Sequence, residues 1–338
     1  MKTIWKVVII LIAAGLVLSM IAVFMGASRW IYWGISGPQI ADTDNEKRIT
    51  ELDLAQIENI EIRADYSDIE FIKSDKCGLD IRYFDENITW SLDNGNLSVT
   101  SSNKDINKLR FFDINLSFTY PKEYIKVYLP DDIELGSVSV KTSAGDMKIG
   151  GFSADDVQIK SSYGNVDVYS ITCNKMQIEL SAGDFSGKNL TSDDIVYKNS
   201  YGNSTFENAT AKNLSINCSA GDITLNDSNV ESITVRNDYG NITANNLITI
   251  KTDIKASAGD IKVSGEFSGQ TVIHNSYGNI RFTTSKVKED YTYDISTSLG
   301  DVTIDDSRVR GSTHGGSSAQ NSLYITNSAG DIQVYFAK

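Results

Sequence analysis

From Ser137 onward the chain divides into eight successive blocks of 19 residues without a gap, and no other feature restricts its fold as strongly. The blocks begin at Ser137, Asp156, Lys175, Asp194, Asn213, Ser232, Lys251 and Gln270. Each has glycine at its ninth position: Gly145, Gly164, Gly183, Gly202, Gly221, Gly240, Gly259 and Gly278. Two looser copies follow, centred on Gly300 and Gly330. A period of 38 overlies the first, because Ser-Ala-Gly-Asp blocks alternate with Ser-Tyr-Gly-Asn blocks, Asp238 replacing Ser once.

The fourth position of the blocks reads Val140, Ile159, Ile178, Tyr197, Ile216, Val235, Ile254 and Ile273. The second position is mostly apolar, and positions 11 and 13 repeat the alternation beyond the glycine. Apolar residues two apart predict strands with one buried face. Each block therefore reads as strand, tight turn, strand and a polar return of about six residues, the glycine supplying a positive φ in the turn. One block cannot bury its own apolar face, whereas stacked blocks bury it continuously. The expected fold is all-β: a parallel β-helix or solenoid of 19-residue coils. Right-handed crossovers are preferred. Ten coils at roughly 4.8 Å each make a rod of about 50 Å. The Tyr/Ala alternation lets a ring lie across the alanine of the next coil. The Asp/Asn alternation keeps like charges from facing each other on successive coils.

The region before the repeats is irregular. Ile60 to Phe71 fits a block, with Ser67 in the glycine position. Asp93-Asn94-Gly95-Asn96 is a hairpin signal. Phe112, Ile114, Leu116, Phe118 and Tyr120 alternate as a strand that Pro121 ends, and Ile125, Val127 and Leu129 give another. Residues 51–136 read as an irregular β cap and 137–338 as the solenoid, with the Gly/Ser-rich stretch from Gly311 to Ser322 looping out of a late coil.

Val7 to Ala27 carries no charge over 21 residues, the length of a membrane-spanning helix. Lys2 and Lys6 precede it, Arg29 follows, and acidic residues begin at Asp42. This charge order predicts a cytoplasmic tail at 1–6, a single-pass anchor at 7–27 and an extracytoplasmic remainder, hence a cell-membrane localisation. Trp30, Tyr32 and Trp33 would form an interfacial belt within a juxtamembrane linker at 28–50. A cleaved signal peptide fits less well. The apolar run exceeds 7 to 15 residues, and Met25-Gly26-Ala27 is a poor cleavage site because Met occupies the −3 position. No cysteine follows the run for lipidation.

The sequences Ile125-Lys126-Val127-Tyr128-Leu129-Pro130 and Val138-Ser139-Val140-Lys141-Thr142-Ser143-Ala144-Gly145-Asp146 resemble those of the DUF4097 (candidate adhesin) β-strand-repeat proteins. The resemblance covers about residues 51–338. It implies an extracytoplasmic, often membrane-anchored bacterial protein with a non-enzymatic binding or scaffolding role, in some settings tied to envelope stress. It supplies no catalytic residues.

Candidate chemistry in the chain is sparse. Three cysteines (Cys77, Cys173 and Cys218) and two histidines show no zinc spacing. Cys173 and Cys218 lie too many coils apart for a disulfide. Asp146, Asp184, Asp222 and Asp260 stand two coils apart, too far for one calcium ion to bridge. No cofactor is expected. With 31 Lys and Arg against 44 Asp and Glu, the net charge of −13 argues against nucleic acid. The fifth block position is basic against that background. Lys141, Lys160, Lys198, Arg236 and Lys255 point outward as one stripe, interrupted by Glu179 and Asn217, with His274 at its end. Lying between the apolar fourth position and position 6, the stripe is a solvated face that blocks lateral strand pairing, or a linear site for an anionic envelope polymer, lipid headgroups or another envelope protein. The alternative class is a carbohydrate-active β-helix lyase or hydrolase, for which the loop holding His314 is the one departure from the repeat. Sequons such as Asn189-Leu190-Thr191 read as polar faces.

Overall fold

A computed structural model describes residues 30–34, 37–41, 46–84, 87–102, 112–114, 122–316 and 319–338. The repeats form a solenoid whose strands pair in parallel at a constant offset of 19, as in Val157↔Met176, Met176↔Ile195 and Ile195↔Leu214. Strand runs such as Met147–Tyr163 and Val166–Ala182 each span parts of two blocks. Their pairing is interrupted at positions 7, 15 and 19 of the block, so each coil has three straight sides.

Positions 2, 4, 11, 13 and 16 point inward. In the Gly164 coil these are Val157, Ile159, Val166, Val168 and Ile171, none more than 1% exposed. Tyr197 is the aromatic exception at the fourth position. Its ring packs against Phe185 and Phe206, its hydroxyl shares a 2.8 Å hydrogen bond with the Ser204 hydroxyl, and Gly187 leaves room, since a Cβ there would meet the Phe185 ring at 2.8 Å. Position 6, two residues beyond the fourth on the same face, is buried but largely polar: Thr142, Ser161, Asn199, Asn237 and Asn275. The asparagines use their amide groups to close the turn, Asn199 donating to Gly183 O and Asn237 to Gly221 O, both at 3.0 Å.

Both ends of the rod depart from simple sequential stacking. After Ile261–Tyr277 the next strand in space is not Tyr291–Ile304 but the later Asn321–Ala329. Ile332–Ala337 likewise pairs with Ile280–Val287. Tyr291–Ile304 lies outside this last segment and is closed by the antiparallel edge strand Ser307–Gly315. The late Gly/Ser-rich stretch therefore begins as strand, up to Gly315, rather than as a loop. The other end repeats the device. Asn59–Ala64 and Asp68–Lys73 sit between the first full coil and an outer layer made by Asn96–Ser102 and Tyr124–Leu129. Antiparallel Asn87–Asp93, Gly78–Tyr83 and Lys47–Glu51 close that layer. The predicted hairpin turn is present, with positive φ at Asn94 (49°) and Gly95 (77°). Antiparallel closure at each end keeps the parallel stack from presenting an open template to another chain.

The expected transmembrane segment at residues 7–27 lies outside the described residues, as do 115–120 of the predicted 112–120 strand. Among the described residues no helix is long and apolar enough to cross a membrane. The one helical turn among them is a 3₁₀ turn, Lys288–Asp290. Trp30, Tyr32 and Trp33, expected as a belt flanking a helix, fall in a strand, Trp30–Gly34, that pairs antiparallel with Gly37–Ala41 and with Phe112–Ile114. The expected linker at 28–50 thus contains these two strands and most of a third, Lys47–Glu51. The single-pass anchor, and the cell-membrane localisation that rested on it, have no support in the structure and are set aside.

Candidate binding face

Parallel stacking at an offset of 19 brings the five predicted basic residues into one column. Lys141 pairs with Lys160, Lys160 with Glu179, Glu179 with Lys198, Lys198 with Asn217, Asn217 with Arg236, and Arg236 with Lys255. Arg63 extends the column beside Lys141. Six coil rises of roughly 4.8 Å separate Lys141 from Lys255, about 29 Å. The column is partly neutralised from within. Glu179 lies 3.5 Å from Lys160 and 3.8 Å from Lys198. The hydrogen bond from Gln177, then the two ammonium groups, hold its carboxyl below the usual range. Arg236 bonds the Asp253 carboxylate at 2.6 Å and the Val235 and Asp253 carbonyls. Lys141 and Lys255 have no acidic partner among the described residues. The arrangement is a line of separated charges, not a convergent pocket.

The adjoining corner is built by the glycine column. Gly145, Gly164, Gly183, Gly202, Gly221, Gly240, Gly259 and Gly278 have φ between 120° and 137°. Gly330 (131°) and Gly300 (154°) continue them. Each also lies under its neighbour, so that a Cβ on Gly221 would stand 2.0 Å from Gly202 O. Beside it runs a hydrogen-bond ladder that explains the Asp/Asn column. The backbone N–H of Asn165 donates to Asp146 Oδ1 at 2.9 Å, that of Asp184 to Asn165 Oδ1 at 3.0 Å, and that of Asn203 to Asp184 Oδ1 at 2.8 Å. The pattern continues through Asp222, Asn241, Asp260 and Asn279. Either side chain supplies the accepting oxygen, and alternation removes half the charge.

Alternation fails at only two steps of this ladder, one at each end of the rod, and each carries a cation. Asp146 N–H donates to Asp68 Oδ1, and Lys122 lies 3.0 Å from Asp68 and 4.0 Å from Asp146. Asp301 N–H donates to Asp331 Oδ1, and Arg308 pairs with Asp301. The acidic column is therefore a structural element whose charges are spaced or compensated. Among the described residues no three His, Cys, Asp or Glu side chains come together to hold a metal ion.

Sequence reasoning missed a second left-handed corner at position 15. Ser170, Asn189, Asn208, Asp227 and Asn246 have φ between 50° and 55°, near the left-handed helical well that Asn and Asp tolerate. Their side chains stack, Asn208 Nδ2 donating to Asn189 Oδ1 at 3.0 Å and Asn246 Nδ2 to Asp227 Oδ1 at 2.8 Å. The recurrence of Gly, Ser, Asn and Asp at one block position was the available signal. A hollow of about 430 Å³ at the N-terminal end is bordered by Lys73, Asp131, Gly151 and Tyr169. Its lysine and aspartate are paired at 2.5 Å and exposed. His314 sits in the edge strand opposite Asp294. Cys77, Cys173 and Cys218 are free and buried.

These features define a capped, three-sided β-solenoid of short coils. The sequence profile of the Toastrack DUF4097 family matches residues 57–186 and 172–335, and the chain belongs to that family. No curated protein matches the chain. Solved structures similar to it include a candidate adhesin from Bacteroides fragilis (17% identity, 85% of this chain and 97% of that one, TM-score 0.35). Another is a candidate adhesin from Parabacteroides distasonis (11% identity, 85% and 95%, TM-score 0.34). A third is a candidate cell-adhesion protein from Clostridium sporogenes (9% identity, 86% and 99%, TM-score 0.21).

Proposed function

We propose that the protein is a non-enzymatic, adhesin-like rod that holds an extended anionic polymer of the cell envelope along the position-5 column. The observation that carries this reading is the collinear placement of Lys141, Lys160, Lys198, Arg236 and Lys255 in a chain of net charge −13. A linear, repeating ligand matches a linear, repeating row of charges, and many weak contacts sum to useful avidity. Lys141–Lys160 and Arg236–Lys255 are the denser segments, because Glu179 and Asn217 interrupt between them. The ladder carboxylates stand in a line at two-coil spacing and do not converge on one point as the paired acids of a glycan-cleaving enzyme must, which favours binding over turnover.

The test is binding of dextran sulfate and polyglutamate to the full chain at low and high ionic strength. The expected result is binding that falls steeply with salt and disappears when all five residues are reversed to Glu, in protein whose circular dichroism shows the fold retained. No binding at low salt, or equal binding after reversal, would leave the column a solvated face.

A further inference from the structure

The corner beside the basic column carries a second row, uncharged and aromatic. Tyr163, Tyr201, Tyr239 and Tyr277 are 66–67% exposed, and alanine occupies the same position in the coils between them: Ala182, Ala220 and Ala258. The rearranged ends extend the row in register. Tyr66 precedes Ala144, and beyond Tyr277 come Ala329 and then Leu299, 73% exposed. A large side chain therefore recurs every second coil, at about 9.6 Å intervals. The phenol hydroxyls of Tyr163, Tyr201, Tyr239 and Tyr277 reach no partner among the described residues. A ring lying across the neighbouring alanine accounts for the alternation, but exposure of two-thirds leaves most of each of the four rings open to a ligand.

We propose that this row is a stacking platform for an extended, uncharged β-linked polysaccharide, with one disaccharide per tyrosine. The electron-rich face of an aromatic ring attracts the axial C–H face of a pyranose, as it attracts the positive edge of another ring. In an extended β-linked chain alternate sugars present the same face, and that disaccharide repeat is close to the rise of two coils. The intervening alanines leave room for the sugars that do not stack. Asp146, Asp184, Asp222 and Asp260 border the row on alternate coils, exposed, each with one carboxylate oxygen not used by the ladder. Sugar hydroxyls can donate to those oxygens. The same carboxylates disfavour an anionic chain at this corner, and disfavour a second copy, whose own acidic column would face this one. The site is thus distinct in chemistry from the basic column, and its binding does not depend on that column.

Alanine variants of the tyrosines should fold, because alanine already serves at this position in every second coil. The experiment is retardation of the full chain in native gels containing hydroxyethylcellulose or glycol chitin, with soluble amylose as a helical, α-linked control. Cellohexaose and chitohexaose titrations supply affinities. The expected result is retardation by the β-linked polymers and not by amylose, insensitive to salt and unchanged by reversal of the five basic residues. Each single Tyr→Ala change should weaken binding roughly three- to tenfold, and Tyr→Phe far less. The combined variant Tyr163→Ala/Tyr201→Ala/Tyr239→Ala/Tyr277→Ala should not bind, while melting like the parent. Failure of the parent to bind either β-linked polymer overturns the proposal, as does undiminished binding by the fourfold variant. A parent that self-associates where the fourfold variant stays monomeric also overturns it, by making a second copy the occupant.

Discussion

Replacing Gly221 by valine should disrupt the stack far more than replacing its neighbour Asp222 by asparagine. Gly221 has φ 128°, well away from the left-handed helical well, and its added Cβ would lie 2.0 Å from Gly202 O and 2.6 Å from that carbonyl carbon. A β-branched residue in that backbone region costs about 1–3 kcal/mol by conformation alone. Relieving the overlap means parting the two coils, which weakens the bonds between them, Gly202 N–H to Ala220 O (3.1 Å) and Asp222 N–H to Asn203 Oδ1 (3.0 Å). At about 1 kcal/mol net for each bond, the total loss is about 3–5 kcal/mol. Asp222→Asn keeps the oxygen that accepts from Asn241 N–H at 2.8 Å, so the change should stay within about 0.5 kcal/mol. Urea denaturation of the full chain followed by circular dichroism reads the difference. Hydrogen exchange at the 222 and 241 amides localises it, since a solenoid need not unfold in one step. Equal midpoints and equal exchange in the two variants would refute the reasoning about the glycine corner.

Four further outcomes are expected. Arg308→Gln should loosen the C-terminal coils and Asp331→Asn should restore them, because the second change removes one of the two consecutive ladder charges while keeping the acceptor; exchange rates at residues 301 and 331 in the single and double variants check this. Burial alone would raise the Asp80 carboxyl, but Arg48, with Tyr124 and Thr50, more than offsets it and holds the group below the usual range; its stabilisation is therefore present above the ordinary carboxylate value and lost as pH falls below about 4. Urea midpoints from pH 6 to 3 should decline more for the parent than for Asp80→Asn. Burial pushes the Cys218 thiol up to about 11, so native protein at pH 8 should resist a thiol reagent at this residue until denaturant is added. Asn208→Gly should be tolerated within about 1 kcal/mol, whereas Asn208→Val at φ 55° should cost more; melting curves of the two variants decide.

Coil length, the glycine corner, inward positions 2, 4, 11 and 13 and the basic column were legible because a repeat writes each of them many times, whereas the return read as polar is a third strand side with Phe152, Ile171 and Leu190 buried at position 16. What the repeat writes in only some coils was harder. The position-6 asparagines looked out of place in an inward column until their amides were seen to close the turn. The order of the terminal coils carried a readable clue. An Ala coil should follow the Tyr coil at Tyr277, and Ser328-Ala329-Gly330-Asp331 is of that type, whereas Ser298-Leu299-Gly300-Asp301 has the large residue of the other. Reading the alternation in space rather than along the chain would have placed residues 321–338 inside residues 291–304. The residues before the repeat misled. A run of apolar residues followed by tryptophans fits a helix end and its aromatic belt, and nothing local in Trp30–Gly34 announces that its partners are Gly37–Ala41 and the distant Phe112–Ile114.

The rod is built on coils stacking at an offset of 19 with the last two exchanged, and paired cysteines at that exchange test the arrangement most directly. His274 and Thr326 are register partners whose side chains touch, while Ser296 lies one strand further out. His274→Cys/Thr326→Cys places the two Cα atoms at roughly the strand spacing, within disulfide range, and His274→Cys/Ser296→Cys places them about 9.6 Å apart, beyond it. The account predicts that mild oxidation of the folded chain crosslinks the first pair and leaves the second as free thiols. Crosslinking of 274 to 296 but not to 326 would show that the last coils stack in chain order, and would contradict the exchanged end and the extension of the tyrosine row through Ala329 to Leu299.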